Sequence, residues 1–278
     1  MLWLKKKLRL SIDGLSSFCG KKARGDASMF IITLVILLFF CLLLKATFDY
    51  KRIHITYDTV DDSIVSALTS ACTFNVTSYG YSGQVVIYDA PIRVGEEEIP
   101  LPGATMPPPL TPEEEAELAM QEALDNLADT ALYSPAGDKY LNKSYADFMA
   151  ALKRNLKLDG SMESSLSGIE GPVTVNEFSV YNRFEEFDED GNLLAYRIIK
   201  YTYDGSAWSV YPYNVNTPVE VYNSYDKANS YVNDTTVTAK LTFGLRKSDY
   251  NAEYMKGLTN ADMVQTVSYQ RLVDIKKN

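Results

Sequence analysis

The residues best suited to chemistry are few. The chain has one histidine, His54, and three cysteines, Cys19, Cys41 and Cys72, spread far apart. A single imidazole rules out a histidine-rich metal cage. No Cys-x-x-Cys pair exists to form a zinc knuckle or a dithiol redox site. A catalytic His would need a nucleophile and an orienting acid, and no Gly-x-Ser-x-Gly motif accompanies it. Asp188-Glu189-Asp190-Gly191-Asn192 has the acids of a calcium loop, but its glycine comes three residues after Asp188. A calcium loop places that glycine at the sixth position, so the stretch reads as a charged hairpin tip. Glu96-Glu97-Glu98 and Glu113-Glu114-Glu115 read as a solvated loop and a helix start. The Asn-x-Ser/Thr triplets at Asn75, Asn142 and Asn233 are short enough to arise by chance.

Tyrosines are plentiful in the C-terminal half: Tyr181, Tyr196, Tyr201, Tyr203, Tyr211, Tyr213, Tyr222, Tyr225 and Tyr231. With Trp208 they could form a sugar-stacking or protein-binding face, although strand propensity alone accounts for them. No catalytic, cofactor or metal residues are assigned. The expectation is a non-enzymatic protein without cofactor or small-molecule substrate.

Charge is unevenly spread over the 278 residues, whose formal net charge is -9. Residues 1–45 hold eight bases and two acids, which leaves 19 bases and 34 acids to the rest. An acidic body argues against nucleic acid as a partner, since phosphate binding needs clustered cations.

The segment that decides the class is Met29 to Leu44, MFIITLVILLFFCLLL, which carries no charge. Extended to Phe48 it reaches the length of a bilayer-crossing helix, about 20 residues. Lys45 stands near one end, where its stem can snorkel to the interface. A core helix would have a polar face, and this one has none. A cleaved signal peptide would show a small-x-small site after Leu44, which is missing. Seven Lys/Arg precede the segment, whereas Lys51 and Arg52 behind it are offset by Asp49, Asp58, Asp61 and Asp62. By the positive-inside rule the N-terminus is cytoplasmic and the body extracytoplasmic. Cys19, Cys41 and Cys72 then occupy three different compartments, and no intrachain disulfide is expected.

The rest of the chain divides by pattern. Residues 1–28 are a basic arm that could lie on the inner leaflet, and 29–48 the transmembrane helix. Residues 49–94 comprise a juxtamembrane helix and a first strand centred on Gln84–Tyr88. Ile53, Tyr57, Val60, Ile64, Leu68 and Ala71 follow one another at spacings of three and four, a single helical stripe with Asp58, Asp61, Asp62 and Ser63 on the opposite face. Residues 95–111 are a Pro/Glu-rich linker. The helical segment 112–160 opens with Thr111 as N-cap and Glu114 closing a capping box. Its second helix begins at Ser144 and stops at Asp159-Gly160. Residues 161–278 are predicted as an antiparallel β-rich domain, with strands at 173–185, 194–203, 208–213, 219–222, 235–245 and 263–275 and hairpin turns at Asp190-Gly191 and Asp204-Gly205. The fold class is α+β, a sheet with one face against helices.

Arg24-Gly25-Asp26-Ala27-Ser28, the apolar span, Phe48-Asp49-Tyr50 and a helix ending Ser66-Ala67-Leu68-Thr69-Ser70-Ala71 together resemble the N-terminus of TadE/TadG-like proteins, the pseudopilin-like components of the Flp (tight adherence, Tad) pilus machinery. Tyr145-Ala146-Asp147-Phe148, Leu156-Lys157-Leu158-Asp159, Gly171-Pro172-Val173-Thr174-Val175, Val180-Tyr181-Asn182 and Leu272-Val273-Asp274-Ile275 are similar to the C-terminal region of their longer relatives in monoderm bacteria. The stronger match covers about 50 residues around the span. Phe30 stands where processed pilins carry a Glu after the cleaved Gly, so the likeness is to uncleaved, membrane-anchored members. The resemblance implies a pilin-like fold, with a long N-terminal helix packed under a sheet. It also implies a non-catalytic role beside the assembly platform, with other pilins or pseudopilins as partners. Whether the protein enters the pilus or only helps build it stays open. The alternative is a signal-anchored extracellular adhesion or ligand-binding module unrelated to pili.

Overall fold

The structure is a computed structural model that describes residues 24–89, 111–128, 135, 138–188, 190–246 and 264–276. Most of the basic arm 1–28 and nearly all of the linker 95–111 lie outside these residues, as do Cys19 and Glu96–Glu98. The chain forms two compact units, Met1–His54 and Ile55–Asn278.

Helix α1 runs from Arg24 to Ala71, beginning before the predicted Met29 and passing through both units. In the first unit its apolar side chains from Met29 to Leu44 are exposed. Thr33 and Thr47 return their hydroxyls to the carbonyls of Met29 and Leu43, so neither leaves a polar hydrogen unmatched. That satisfaction is what a helix in hydrocarbon requires.

In the second unit the predicted stripe is buried from Val60 onward: Val60, Ile64, Leu68 and Ala71, with Ala67 beside them, are at most 1% exposed, while Tyr57 is half-buried. Each of the larger ones contributes about 1.5–3 kcal/mol of apolar burial. The opposite face departs from expectation. Asp58 and Asp62 are exposed, but Asp61 and Ser63 are buried. Asp61 is buried because its charge is matched across the interface, by Arg271.

Helix α2, Val76–Ser82, was not predicted. Asn75 caps it, its Oδ1 accepting from the amides of Thr77 (3.0 Å) and Ser78 (3.1 Å). Gly83 ends it in the left-handed conformation, φ 66°. The first strand expected at 84–88 is not a strand. The segment is buried from Val85 to Tyr88, but the central strand that it meets already pairs on both sides. Its backbone is satisfied instead by the Asn75 amide, which donates to the Val86 carbonyl at 2.9 Å, and by side chains. Asn182 accepts from the Ile87 amide at 2.8 Å and donates to the Ile87 carbonyl at 3.1 Å, while Asn75 donates to Tyr88.

Helix α3, Pro112–Ala128, has the expected capping box: the Thr111 amide and hydroxyl both donate to Glu114 Oε2, and the Glu114 amide returns to Thr111 Oγ1. Helix α4, Lys139–Asn155, starts five residues before Ser144. Its cap is Asp138, which accepts from the amides of Tyr140 and Leu141. It stops at Leu156 rather than Asp159-Gly160, with Lys157 taking positive φ.

Strands β1 (Ile169–Phe187), β2 (Leu193–Tyr203), β3 (Trp208–Pro212), β6 (Thr235–Arg246) and β7 (Val264–Ile275) make one antiparallel sheet in the order β3-β2-β1-β6-β7. Strands β4 (Glu220–Asn223) and β5 (Ala228–Tyr231) form a separate hairpin; β5 was not predicted. The class is α+β, as expected. The register of β1 and β2 follows from the turn. Phe178 meets Tyr203 and Tyr181 meets Lys200, pairs centred on Asp190-Gly191.

Alternation gives the sheet two distinct faces. On one, Phe178 stacks against Tyr145 and Phe148 of α4, with Val180 and Tyr201 buried nearby in the ladder. On the other, Tyr181 and Ile198 form a cluster with Val219, Val221 and Val232 of the hairpin, joined by Tyr196, Tyr213 and Leu272.

Candidate functional site

Two features stand out from ordinary core and surface. The first is the exposed apolar stretch of α1. Phe30 is 69% exposed and Phe39 60%, values that water would penalise by roughly 1.5–3 kcal/mol for each large side chain. This is one helix long and apolar enough to cross a membrane, near the N-terminus, with none of its most apolar 18 residues buried. Just beyond it His54 stacks on Tyr50, their ring centroids 6.3 Å apart. His54 is exposed on the helix surface.

The second is a polar cluster on the hairpin-facing side of the sheet. Strand pairing sets Tyr181 opposite Lys200 and Ser179 opposite Thr202. Lys200 Nζ donates to Glu177 Oε1 at 2.7 Å, and Ser179 Oγ donates to the same oxygen at 2.8 Å. Ser179 Oγ also lies 3.0 Å from Thr202 Oγ1. Burial pushes the Glu177 carboxyl up. The hydrogen bonds from Lys200 and Ser179 and the charges of Lys200 and Lys240 outweigh it, holding the group below the usual range. Burial acts against the Lys200 charge, but Glu177 and Tyr181 overcome it and raise its affinity for the proton. Ser179 is fully buried, so it is a strut of the ion pair rather than an accessible nucleophile. Neither Glu177 nor Lys200 was singled out from sequence. Counting outward from Asp190-Gly191 would have placed Lys200 beside Tyr181, and the period of two would have put Glu177 and Ser179 on the same face.

The structure separates the tyrosines that composition grouped together. Tyr181 and Tyr201 are buried, one on each face. Tyr203 packs on Tyr145 and on Trp208, whose Nε1 donates to Asn142 at 3.0 Å. Tyr196 and Tyr213 support the hairpin cluster. Tyr211, Tyr222, Tyr225 and Tyr231 are exposed. Tyr222 and Tyr231 share the outer face of the β4–β5 hairpin with Glu220 and Asn229, which bond to each other at 2.9 Å.

The remaining candidates serve local structure. Asp188 accepts from the Asn192 amide and side chain, so both its oxygens are engaged within the turn, and these bonds hold its carboxyl below the usual range. Asn75 is a buried cap. Asn142 and Asn233 are exposed. Cys72 is partly buried, its Sγ donating to the Leu68 carbonyl, and burial reinforced by Asp274 pushes the thiol up to about 12. Among the described residues, no group of three His, Cys, Asp or Glu side chains could hold a metal ion. A notch lined by Val85, Arg183, Glu185, Asp234, Thr235 and Ile275 has about 10 Å³ of space, scarcely enough for one water molecule.

Comparison with protein-family models, with curated proteins and with solved structures finds no match to this chain.

Proposed function

We propose that the protein is a non-catalytic, membrane-anchored component of a bacterial envelope, acting in Tad/Flp-type pilus assembly. The observation that carries the reading is α1: one helix whose first part exposes an uncharged apolar surface and whose last part is buried in an α+β body. The apolar part inserts in the bilayer. The bias of Lys and Arg toward residues 1–28 keeps the N-terminus cytoplasmic and sends the body outside. The sequence resemblance at residues 24–72 supplies the pilus system. Helix and sheet surfaces would meet pilins or sister pseudopilins beside the assembly platform, and no cofactor or substrate is needed.

The test has three arms in the native host. Alkaline carbonate should leave the protein in the membrane fraction, and its release would overturn the anchor. Protease added to intact cells should cleave the C-terminal half, and full protection would overturn the orientation. Deletion should abolish surface pili; unchanged piliation would overturn the role in pilus assembly.

A second reading has its own observation, the exposed Tyr222 and Tyr231 flanking Glu220 and Asn229. An adhesion module would stack a sugar or peptide on these rings. Detergent-purified protein binding a glycan, with loss in Tyr222→Ala and Tyr231→Ala, would favour it.

A further inference from the structure

The β4–β5 hairpin covers only part of its side of the sheet, the part around Tyr181 and Ile198. Strand pairing sets Tyr211, Lys200 and Tyr181 in one row on that side. The next rows read Ser209, Thr202, Ser179 and Thr238, then Lys240 and Gln270 beside Glu177. Only Leu272, at the far end of the first of these, is aliphatic, and it belongs to the hairpin cluster. The centre of a protein interface is apolar, so this polar surface suits a different kind of partner.

Three groups on it are arranged for a ligand. Tyr211 is 61% exposed. Tyr213 meets its ring edge to face, with centroids 4.9 Å apart, and is itself packed on the hairpin cluster. A ring that is both held and open is a platform for the apolar face of a sugar. Lys200 and Glu177 both act on the Tyr213 phenol, so their ion pair lies beside this platform. Lys200 and Ser179 both donate to Glu177 Oε1, and Oε2 receives no donor from the described residues. The pair thus offers a donor and an acceptor side by side, the complement of two neighbouring hydroxyls. Lys240, cross-strand from Glu177, is exposed and makes no ion pair among the described residues. The patch therefore holds two cations and one carboxylate, on a chain of net charge -9.

We propose that this patch binds an acidic oligosaccharide. One sugar ring stacks on Tyr211, a pair of hydroxyls meets Lys200 and Glu177, and a carboxylate further along the glycan meets Lys240. The strand order β3-β2-β1-β6 puts Tyr211 and Lys240 three strands apart, about 14 Å, so the ligand has more than one ring. Its sign follows from the charge of Lys240, which nothing on this face cancels. The site shares no residue with the outer hairpin face of Tyr222 and Tyr231, and it does not rest on the pilus reading.

The experiment uses the full chain in detergent, with a hexamer of galacturonic acid as probe and its methyl ester as the uncharged counterpart. Titration calorimetry at low salt should show the acid bound more tightly than the ester, and salt at about 1 M should remove the difference. Lys240→Gln should lower the affinity for the acid by up to about fivefold, to that of the ester, and leave the ester unchanged. Tyr211→Ala should weaken both by up to about tenfold. Both side chains are exposed, so the variants should keep the circular dichroism of the unaltered protein. Failure of the acid to bind, equal binding of acid and ester, or binding unchanged in Tyr211→Ala would each overturn the proposal. Loss in Tyr222→Ala or Tyr231→Ala instead would move the glycan to the hairpin and overturn this site while supporting the adhesion reading.

Discussion

The hydroxyl of Ser144 donates to the carbonyl oxygen of Ala71 at 2.8 Å, and both residues are fully buried. Ala71 is the last residue of α1, where the final carbonyls have no partner within the helix. The Thr73 amide donates to it at 2.7 Å, and Ser144, in the second turn of α4, supplies a second donor from 73 residues away. The contact joins the end of the long helix to the helix that stacks on Phe178.

Ser144→Ala should leave the Ala71 carbonyl with the Thr73 amide as its donor. The expected cost is that of one ordinary hydrogen bond, about 0.5–1.5 kcal/mol of body stability, read from urea unfolding followed by tyrosine and tryptophan fluorescence. A midpoint that does not move would show that the bond contributes nothing.

Buried Asp61 and partly buried Arg271 form an ion pair: Nε lies 2.7 Å from Oδ1, and Nη2 donates to Oδ2 at 3.0 Å. Tyr269 adds its hydroxyl to Oδ1 at 2.8 Å, and burial together with the Asp61 charge pushes its phenol up. Asp61→Leu or Arg271→Met alone should destabilise by about 3–5 kcal/mol, because each strands an opposite charge. The double variant should lose less than the sum of the singles, measured as a double-mutant cycle. Strict additivity would mean that the pair is not coupled.

Gly168 sits at φ 108°, and a Cβ there would come 2.2 Å from Thr56 Oγ1 on α1. Gly205 has a similar φ of 99° with open space around it. Gly205→Ala should therefore cost backbone strain alone, about 1–3 kcal/mol. Gly168→Ala should cost more, by the further 1–3 kcal/mol or so typical of overpacking. Equal thermal shifts in the two variants would remove Thr56 from the account.

Asp204 caps the β2–β3 turn by accepting from the Ser206 and Ala207 amides and the Ser206 hydroxyl. These bonds hold its carboxyl down to about 2, against an ordinary 3.8. A depressed folded-state value contributes stability that is complete above the ordinary value and lost as pH falls through the folded one. The turn should weaken between about pH 4 and pH 2. Asp204→Asn should flatten that part of the stability profile. A profile of unchanged slope would assign the acid sensitivity to other carboxylates, such as Glu177 or Glu170, both of which are also held low by their partners.

Much of the architecture was legible in one dimension because it depends on local periodicity. The uncharged run Met29–Leu44, the stripe from Val60 to Ala71, the Thr111–Glu114 box and the Asp190-Gly191 turn each declare themselves within a few residues. The misses share a cause. Residues 84–88 have strand composition, yet the central strand was already paired on both edges, so Asn182 took the place of a ladder. Helix α4 begins at Asp138 because an aspartate, not the later serine, was free to accept its first amides.

The amino-acid order by itself determined a long apolar helix ahead of an antiparallel sheet, since hydrophobic period and turn chemistry are local properties. Only the folded chain decided which polar residues went inside. Asp61, Ser144, Ser179 and Asn182 look like surface residues until a partner arrives from 23 to 210 positions away. Burying a polar group is favourable only when that partner is present, and no window along the sequence contains it.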